Sequence, residues 1–188
     1  MGAHADRAIE GFEAPERLAR DGVVMRPLRP DDGPAFAAAF ADDRQLGALV
    51  GFEDDPDEAW FRASLDGEPR AGFALAVTAG GSDELRGVVN VHHVEVEHGR
   101  AEIGFWLARH ARGAGLGGRA VTVLVDWLFE HPWLRRLELT TTPVNAATLA
   151  FAERLGFTRE GVLRQRVVER GAPVDIVWFG LLREEWRA

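Results

Sequence analysis

Residues 112–118 read Arg112-Gly113-Ala114-Gly115-Leu116-Gly117-Gly118, and this segment is the most informative part of the sequence. It precedes an expected helix whose apolar residues recur at helical spacing, namely Val121, Leu124, Val125 and Leu128. Glycines allow the backbone to turn several N–H groups toward one point, and the start of the helix directs its free N–H groups and positive dipole end to the same point. The segment therefore predicts a binding site for a phosphate or pyrophosphate group, with Arg112 as an additional charged donor.

Two other interpretations of this segment stay open. The plainer one is a glycine-rich connection without a ligand. The other is a dinucleotide-binding turn, because Gly113, Gly115 and Gly118 fit the spacing G-x-G-x-x-G and Glu138 follows on the next expected strand. Two features count against a dinucleotide: residues 109–112 separate the glycines from the preceding strand, and the unit comes only after several earlier strands.

The order of expected elements indicates one domain. A chain of 188 residues is long enough to bury a sizeable core. Residues 1–20 are polar without a clear period, so we expect a loose N-terminal extension followed by a single domain over 21–188. Early strands followed by the alternation strand, helix, strand, helix, strand predict an α/β (α+β) fold, with helices on both faces of a mixed sheet.

Composition excludes several classes of chemistry. There is no Cys, and therefore no disulfide, cysteine metal site or thiol nucleophile; we expect no metal cofactor. Every basic side chain other than His is Arg, which excludes a lysine Schiff base and a Walker A loop. The net charge of -8 argues against nucleic acid as a partner. Without a signal sequence or a membrane-spanning apolar run, we expect a cytoplasmic protein with no membrane partner.

The spacing Arg112-x-x-Gly115-x-Gly117 resembles that of the GNAT family of acyl-CoA-dependent N-acetyltransferases. Within the family, the chain is similar to the branch that includes the ribosomal-protein N-terminal acetyltransferases. Four stretches carry the resemblance in the family's order: 26–28 with Asp31, 101–107, 112–118 and 145–157. The resemblance covers about residues 21–187, so the expected single domain is an N-acetyltransferase domain.

The resemblance implies a fold and a co-substrate. The fold is the family's mixed, mostly antiparallel sheet, which opens in a V and is flanked by helices on both faces. The co-substrate is acetyl-CoA, with its pyrophosphate on the glycine segment and its pantetheine amides on unpaired backbone groups near Leu107 and Arg109. The implied cofactor-binding residues are Leu107, Arg109, Arg112, Gly113, Ala114, Gly115, Leu116, Gly117, Gly118 and Asn145. The family's habits also suggest a homodimer.

Glu102 is the candidate general base for acetylation of an amine. Strand alternation over 101–107 places it on the face opposite Ile103, where a merely solvated carboxylate is the alternative. If His98-Gly99 is a two-residue turn, Glu95 lies opposite Glu102 and His93 lies diagonal to both. Such a pair of carboxylates would raise one pKa, and His93 could shuttle a proton.

Other residues of the candidate site have plainer structural roles as well. We expect His92 to pack on the other face of its strand. Asn145 is an expected helix N-cap, which places Thr148 in the first helical turn. A hydroxyl there can donate to a leaving thiolate, although a local backbone bond is the alternative. Many family members use a Tyr as the acid; this chain has none, so Thr148 or water takes that role, unless no acid is needed.

The sequence therefore predicts an acetyl-CoA-dependent N-acetyltransferase that acts by direct attack of a primary amine, because a cysteinyl acyl-enzyme is impossible. The acceptor is a protein N-terminus or a small-molecule amine. The alternatives are transfer of another acyl group, an aminoglycoside as acceptor, and an acyl-CoA-binding sensor without turnover.

Overall fold

The computed structural model describes residues 12–50, 52, 54, 56–65 and 72–186. Within these residues one sheet of eight strands runs in the order β1-β2-β3-β4-β5-β6-β8-β7. The strands are β1 (Leu18–Arg20), β2 (Val23–Pro27), β3 (Phe73–Ala79), β4 (Gly87–Glu95), β5 (Arg100–Leu107), β6 (Arg136–Thr141), β7 (Thr158–Glu169) and β8 (Ala172–Leu182). All neighbours pair antiparallel except β5 and β6, which are parallel.

Helices cover both faces of this sheet, as the sequence predicts. They are α1 (Gly33–Asp42), α2 (Arg44–Leu49), α3 (Glu58–Leu65), α4 (Leu116–Phe129) and α5 (Ala146–Arg154). The residues of β3 show how the two faces are divided, because alternate side chains enter different clusters. Leu75 and Val77 pack with α4, whereas Ala76 packs with Phe36 and Phe61 of the first three helices. No helix of the described residues is long and apolar enough to cross a membrane.

Strands β5 and β6 separate along their length. Their parallel pairing extends from Arg100, opposite Arg136, to Glu102, opposite Glu138. Beyond that point β5 continues to Leu107 and β6 to Thr141 without further pairing between them. The expected V-shaped opening of the sheet is therefore confirmed, and it begins at Glu102.

The N-terminal segment differs from the expectation. Residues 1–11 lie outside the described residues, but residues 12–20 are not a loose extension. Phe12 is buried, with its ring centroid 5.6 Å from that of Phe73 and 5.2 Å from that of Trp133. Strand β1 pairs with β2 at the edge of the sheet. One aromatic residue and a three-residue strand produce no periodic signal, so the sequence pattern does not reveal them.

Candidate active site

A cleft of about 1160 Å³ opens where β5 and β6 separate. Most of the expected site residues line it: Glu102, Leu107, Arg112, Gly113, Gly115, Leu116, Gly117, Gly118, Asn145 and Thr148. Two expected cofactor-binding residues do not. Arg109 is exposed in a short 3₁₀ turn after β5, and Ala114 is exposed with its carbonyl oxygen accepting a hydrogen bond from Arg119 at 2.9 Å. The glycine segment and the candidate base therefore share one cavity.

The glycine segment has the backbone conformation that an amide cradle requires, meaning a set of main-chain N–H groups that point at one bound anion. Gly113 and Gly115 have φ values of 88° and 73°, in the left-handed region that favours glycine. Gly115 is the N-cap of α4, so no side chain satisfies the first N–H groups of that helix. At Gly117 a Cβ atom would lie 3.3 Å from Leu107 Cδ1, which is tighter than ordinary contact. These N–H groups remain available at the cleft for an anionic ligand.

Arg112 lies at the cleft, but its guanidinium is not the free donor that the sequence suggested. Nε donates to the carbonyl oxygen of Leu107 at 2.9 Å, and a terminal nitrogen lies 2.6 Å from Oδ2 of Asp43. Burial favours a higher pKa for the Asp43 carboxyl, yet hydrogen bonds from Arg112 and the Gln45 N–H outweigh it and hold the pKa below its ordinary value. Arg112 therefore joins the glycine segment to β5 and to the start of α2.

Glu102 is buried at the point where the strands part, with a side chain only 8% exposed. The alternation that placed it opposite Ile103 is confirmed, because Ile103 enters the cluster under α4 while Glu102 faces the cleft. Its Oε1 accepts a hydrogen bond from the Thr140 hydroxyl at 2.5 Å, and its Oε2 lies 2.9 Å from His93 Nδ1. A buried carboxylate with two fixed partners is not a merely solvated group.

The β4–β5 hairpin has a different register from the expected one. Val96–His98 forms a 3₁₀ turn before Gly99, so the connection is longer than two residues. Glu95 consequently lies opposite Arg100, to which it is hydrogen bonded, rather than opposite Glu102. The expected pair of adjacent carboxylates is therefore wrong.

His92 occupies the position opposite Glu102, so its expected packing role is also wrong. The register of the β4–β5 pair shifts after His92, and His93 has a φ of 47°. The two imidazoles therefore lie on the same side of β4, with their Nδ1 atoms 3.1 Å apart. Burial lowers the pKa of His92; the Glu102 charge acts against this shift and the His93 charge adds to it. The His93 side chain is 72% exposed and connects Glu102 to solvent.

The start of α5 agrees with the sequence analysis. Asn145 is the N-cap, and its Oδ1 accepts a hydrogen bond from the Thr148 N–H at 3.2 Å. Thr148 is half-buried and lines the cleft. The local bond uses the backbone of Thr148, so its hydroxyl is available to a ligand in the cleft.

Sequence reasoning missed two residues of the site. Thr140 could have been found, because alternation in β6 buries Leu137 and Leu139 on one face and leaves Thr140 with Glu138 on the other. Asp43 could not, since it lies in a segment without a clear period and contacts Arg112 across 69 residues of sequence.

The acetyltransferase (GNAT) domain model matches residues 23–158 of this sequence. The chain belongs to the GNAT acetyltransferase family. A GNAT-family crystal structure from Chromobacterium violaceum ATCC 12472 has a TM-score of 0.83 and 28% identity, covering 100% of this chain and 99% of that chain. The resemblance drawn from the motifs, the fold class and the assignment as an acetyltransferase are thereby confirmed.

Curated GNAT relatives agree in class. YdaF of Bacillus subtilis (strain 168), whose name describes a ribosomal N-acetyltransferase, is 29% identical over 170 residues, covering 87% of this chain and 93% of that protein. The ribosomal-protein-serine acetyltransferase of Escherichia coli (strain K12) is 32% identical over 94 residues, covering 50% of this chain and 52% of that protein. The similarity to the ribosomal-protein branch of the GNAT family is therefore confirmed as well.

Proposed function

We propose that this enzyme transfers the acetyl group of acetyl-CoA directly to a primary amine, which is a protein N-terminus or the amine of a small molecule. One observation carries the proposal: the amide cradle before α4 and the buried carboxylate of Glu102 face the same cleft. The names of the ribosomal-protein relatives support a protein N-terminus as the first acceptor to test.

The cleft fits acetyl-CoA by its chemistry. The uncapped N–H groups of residues 116–118 suit the pyrophosphate, which would accept charge-assisted hydrogen bonds there. The part of β5 beyond Glu102 lacks a partner on β6, so its backbone groups suit the pantetheine amides. In this proposal Arg112 positions the cradle through Asp43 and Leu107.

The proposed reaction needs two proton movements. Glu102 takes a proton from the attacking amine as the new N–C bond forms, and His93 passes that proton toward solvent. The tetrahedral oxyanion is stabilised by backbone N–H groups of the unpaired β5 edge. As the C–S bond breaks, the Thr148 hydroxyl donates a hydrogen bond to the leaving thiolate of CoA, and the thiolate takes its proton from water. No step requires a metal ion.

The first experiment is a thiol-release assay with acetyl-CoA against N-terminal peptides, polyamines and aminoglycosides. We expect Glu102→Gln to lower kcat by about 10²- to 10⁴-fold and to leave CoA binding, measured by titration, unchanged. Gln keeps the size of the side chain but cannot accept the proton.

Two results would contradict the proposal. An unchanged rate in Glu102→Gln would remove Glu102 as the base. CoA binding without thiol release from any amine would favour the sensor interpretation.

A further inference from the structure

Three ligand atoms converge at the mouth of the strand opening. His92 Nδ1 lies 3.1 Å from His93 Nδ1, His93 Nδ1 lies 2.9 Å from Glu102 Oε2, and His92 Nδ1 lies 3.9 Å from the same oxygen. Among the described residues, this is the only group of three or more His, Asp or Glu side chains in which every ligand atom comes this close to the others.

Hydrogen bonds among these three side chains leave one Nδ1 atom without a partner inside the cluster. An imidazole Nδ1 carries either one N–H or one lone pair, directed in the plane of the ring. His93 Nδ1 therefore serves Glu102 or His92, but not both. A cation placed between the three atoms would satisfy all of them at once.

The spacing fits a small divalent ion that prefers nitrogen ligands. A point about 2.0 Å from each of the three atoms lies nearly in the plane of those atoms, and this distance matches the about 2.0–2.1 Å of zinc–imidazole bonds and the about 2.0–2.2 Å of zinc–carboxylate bonds. The tetrahedral geometry that Zn²⁺ prefers therefore requires the two imidazoles to shift as the ion binds. Two imidazoles and one carboxylate favour Zn²⁺ over Mg²⁺ or Ca²⁺, which prefer oxygen ligands.

The fold holds the three ligands in place. The register shift after His92 turns two consecutive residues to one side of β4, which a regular strand would not do. The Thr140 hydroxyl donates a hydrogen bond to Oε1, the other oxygen of Glu102. A hydrogen bond of this kind orients a carboxylate that binds a metal ion.

We infer that His92, His93 and Glu102 bind one Zn²⁺ ion, and that this ion inhibits acetyl transfer because it occupies the oxygen of Glu102 that faces His93. The binding claim is independent of the reaction, whereas the inhibition rests on the proposed function. The ion is an inhibitor here and not a cofactor.

The binding test uses the full chain stripped with EDTA and titrated with ZnCl₂ in competition with a chromophoric chelator. We expect one Zn²⁺ per chain, and affinity about tenfold or more weaker in His92→Ala and in His93→Ala. The exposed His93 makes the second variant a safe one for folding. His98→Ala is the matched control, since His98 is exposed and lies outside the cluster, and it should bind Zn²⁺ like the parent chain. Absence of binding, or equal binding in His92→Ala and the parent chain, would overturn the site.

The inhibition test adds Zn²⁺ to the thiol-release assay and then removes it with EDTA. We expect reversible loss of activity in the parent chain and in His98→Ala. Full activity with Zn²⁺ bound would overturn the inhibitory role. One-to-one binding in a chain that acetylates no amine would support the site while contradicting the proposed function, so the two failures are distinguishable.

Discussion

Thr140 fixes the orientation of Glu102 from the neighbouring strand. Its hydroxyl donates to Oε1 at 2.5 Å, which leaves Oε2 directed at His93. Because a general base must point at the proton it removes, the position of this carboxylate matters as much as its charge. Thr140 is therefore a positioning residue in the proposed reaction.

Thr140→Val should lower kcat by roughly tenfold, which corresponds to about 1.4 kcal/mol, with little change in the KM for acetyl-CoA. Val has the same shape as Thr but cannot donate a hydrogen bond. Steady-state kinetics by thiol release measure the effect. Thr140→Ser restores the hydroxyl and should restore most of the rate; a Ser variant as slow as Val would show that only packing matters here.

At the scale of elements, strand alternation and helix capping were predictable from sequence. The faces of β5, the start of α5 and the amphipathic α4 all follow from local periodicity and from single capping residues. The β4–β5 register was not predictable from sequence, because it depends on whether the chain forms a two-residue turn or the 3₁₀ turn Val96–His98. The turn places Glu95 opposite Arg100, and the register shift between His92 and Glu95 then brings His92 opposite the base.

The link between Asp43 and Arg112 was also beyond local pattern. It connects the start of α2 to the segment before α4, and no local pattern pairs two residues that are 69 positions apart in the sequence. The buried Asp43 carboxylate is stabilised only when the two elements dock, so the ion pair belongs to the tertiary structure.

Asp43→Asn should lower the free energy of unfolding at pH 7 by about 1–2 kcal/mol, a modest value because Arg112 is partly exposed. The pKa of Asp43 is lower in the folded chain than in the unfolded one, so the unfolded state binds more protons as pH falls. The stabilisation is therefore present above the unfolded pKa of 3.8 and is lost as pH falls through the folded value.

Urea unfolding from pH 7 to pH 3 tests this dependence. The difference between the parent chain and Asp43→Asn should shrink toward acid pH. The exposed Asp21→Asn is the control and should change stability little at any pH. A difference that is constant with pH would contradict the ion-pair account.

At the scale of the whole molecule, residues 12–20 complete the fold. Phe12 contributes an aromatic ring to the main core beside Phe73 and Trp127. Phe12 therefore packs the segment 12–20 against β3 and α4.

Phe12→Ala should lower the free energy of unfolding by roughly 3–5 kcal/mol because it removes a buried aromatic ring and leaves a cavity. Val144→Ala is the control, since Val144 is 84% exposed, and it should change stability by no more than about 0.5 kcal/mol. Denaturant titration measures both variants. Equal stability of Phe12→Ala and the parent chain would return this segment to the role of a loose extension.

The homodimer expected from the family stays a prediction.

Strand β7 ends the sheet as a long edge strand with exposed Val162, Leu163 and Val168. Unprotected edges of this kind template the stacking of further chains into aggregates. Charged side chains lie between these apolar positions and oppose the pairing of a second chain with this edge; they are the exposed Arg159, Arg164 and Arg166. Because a guanidinium keeps its charge at every pH the protein meets, this protection against aggregation persists even in acid that neutralises carboxylates.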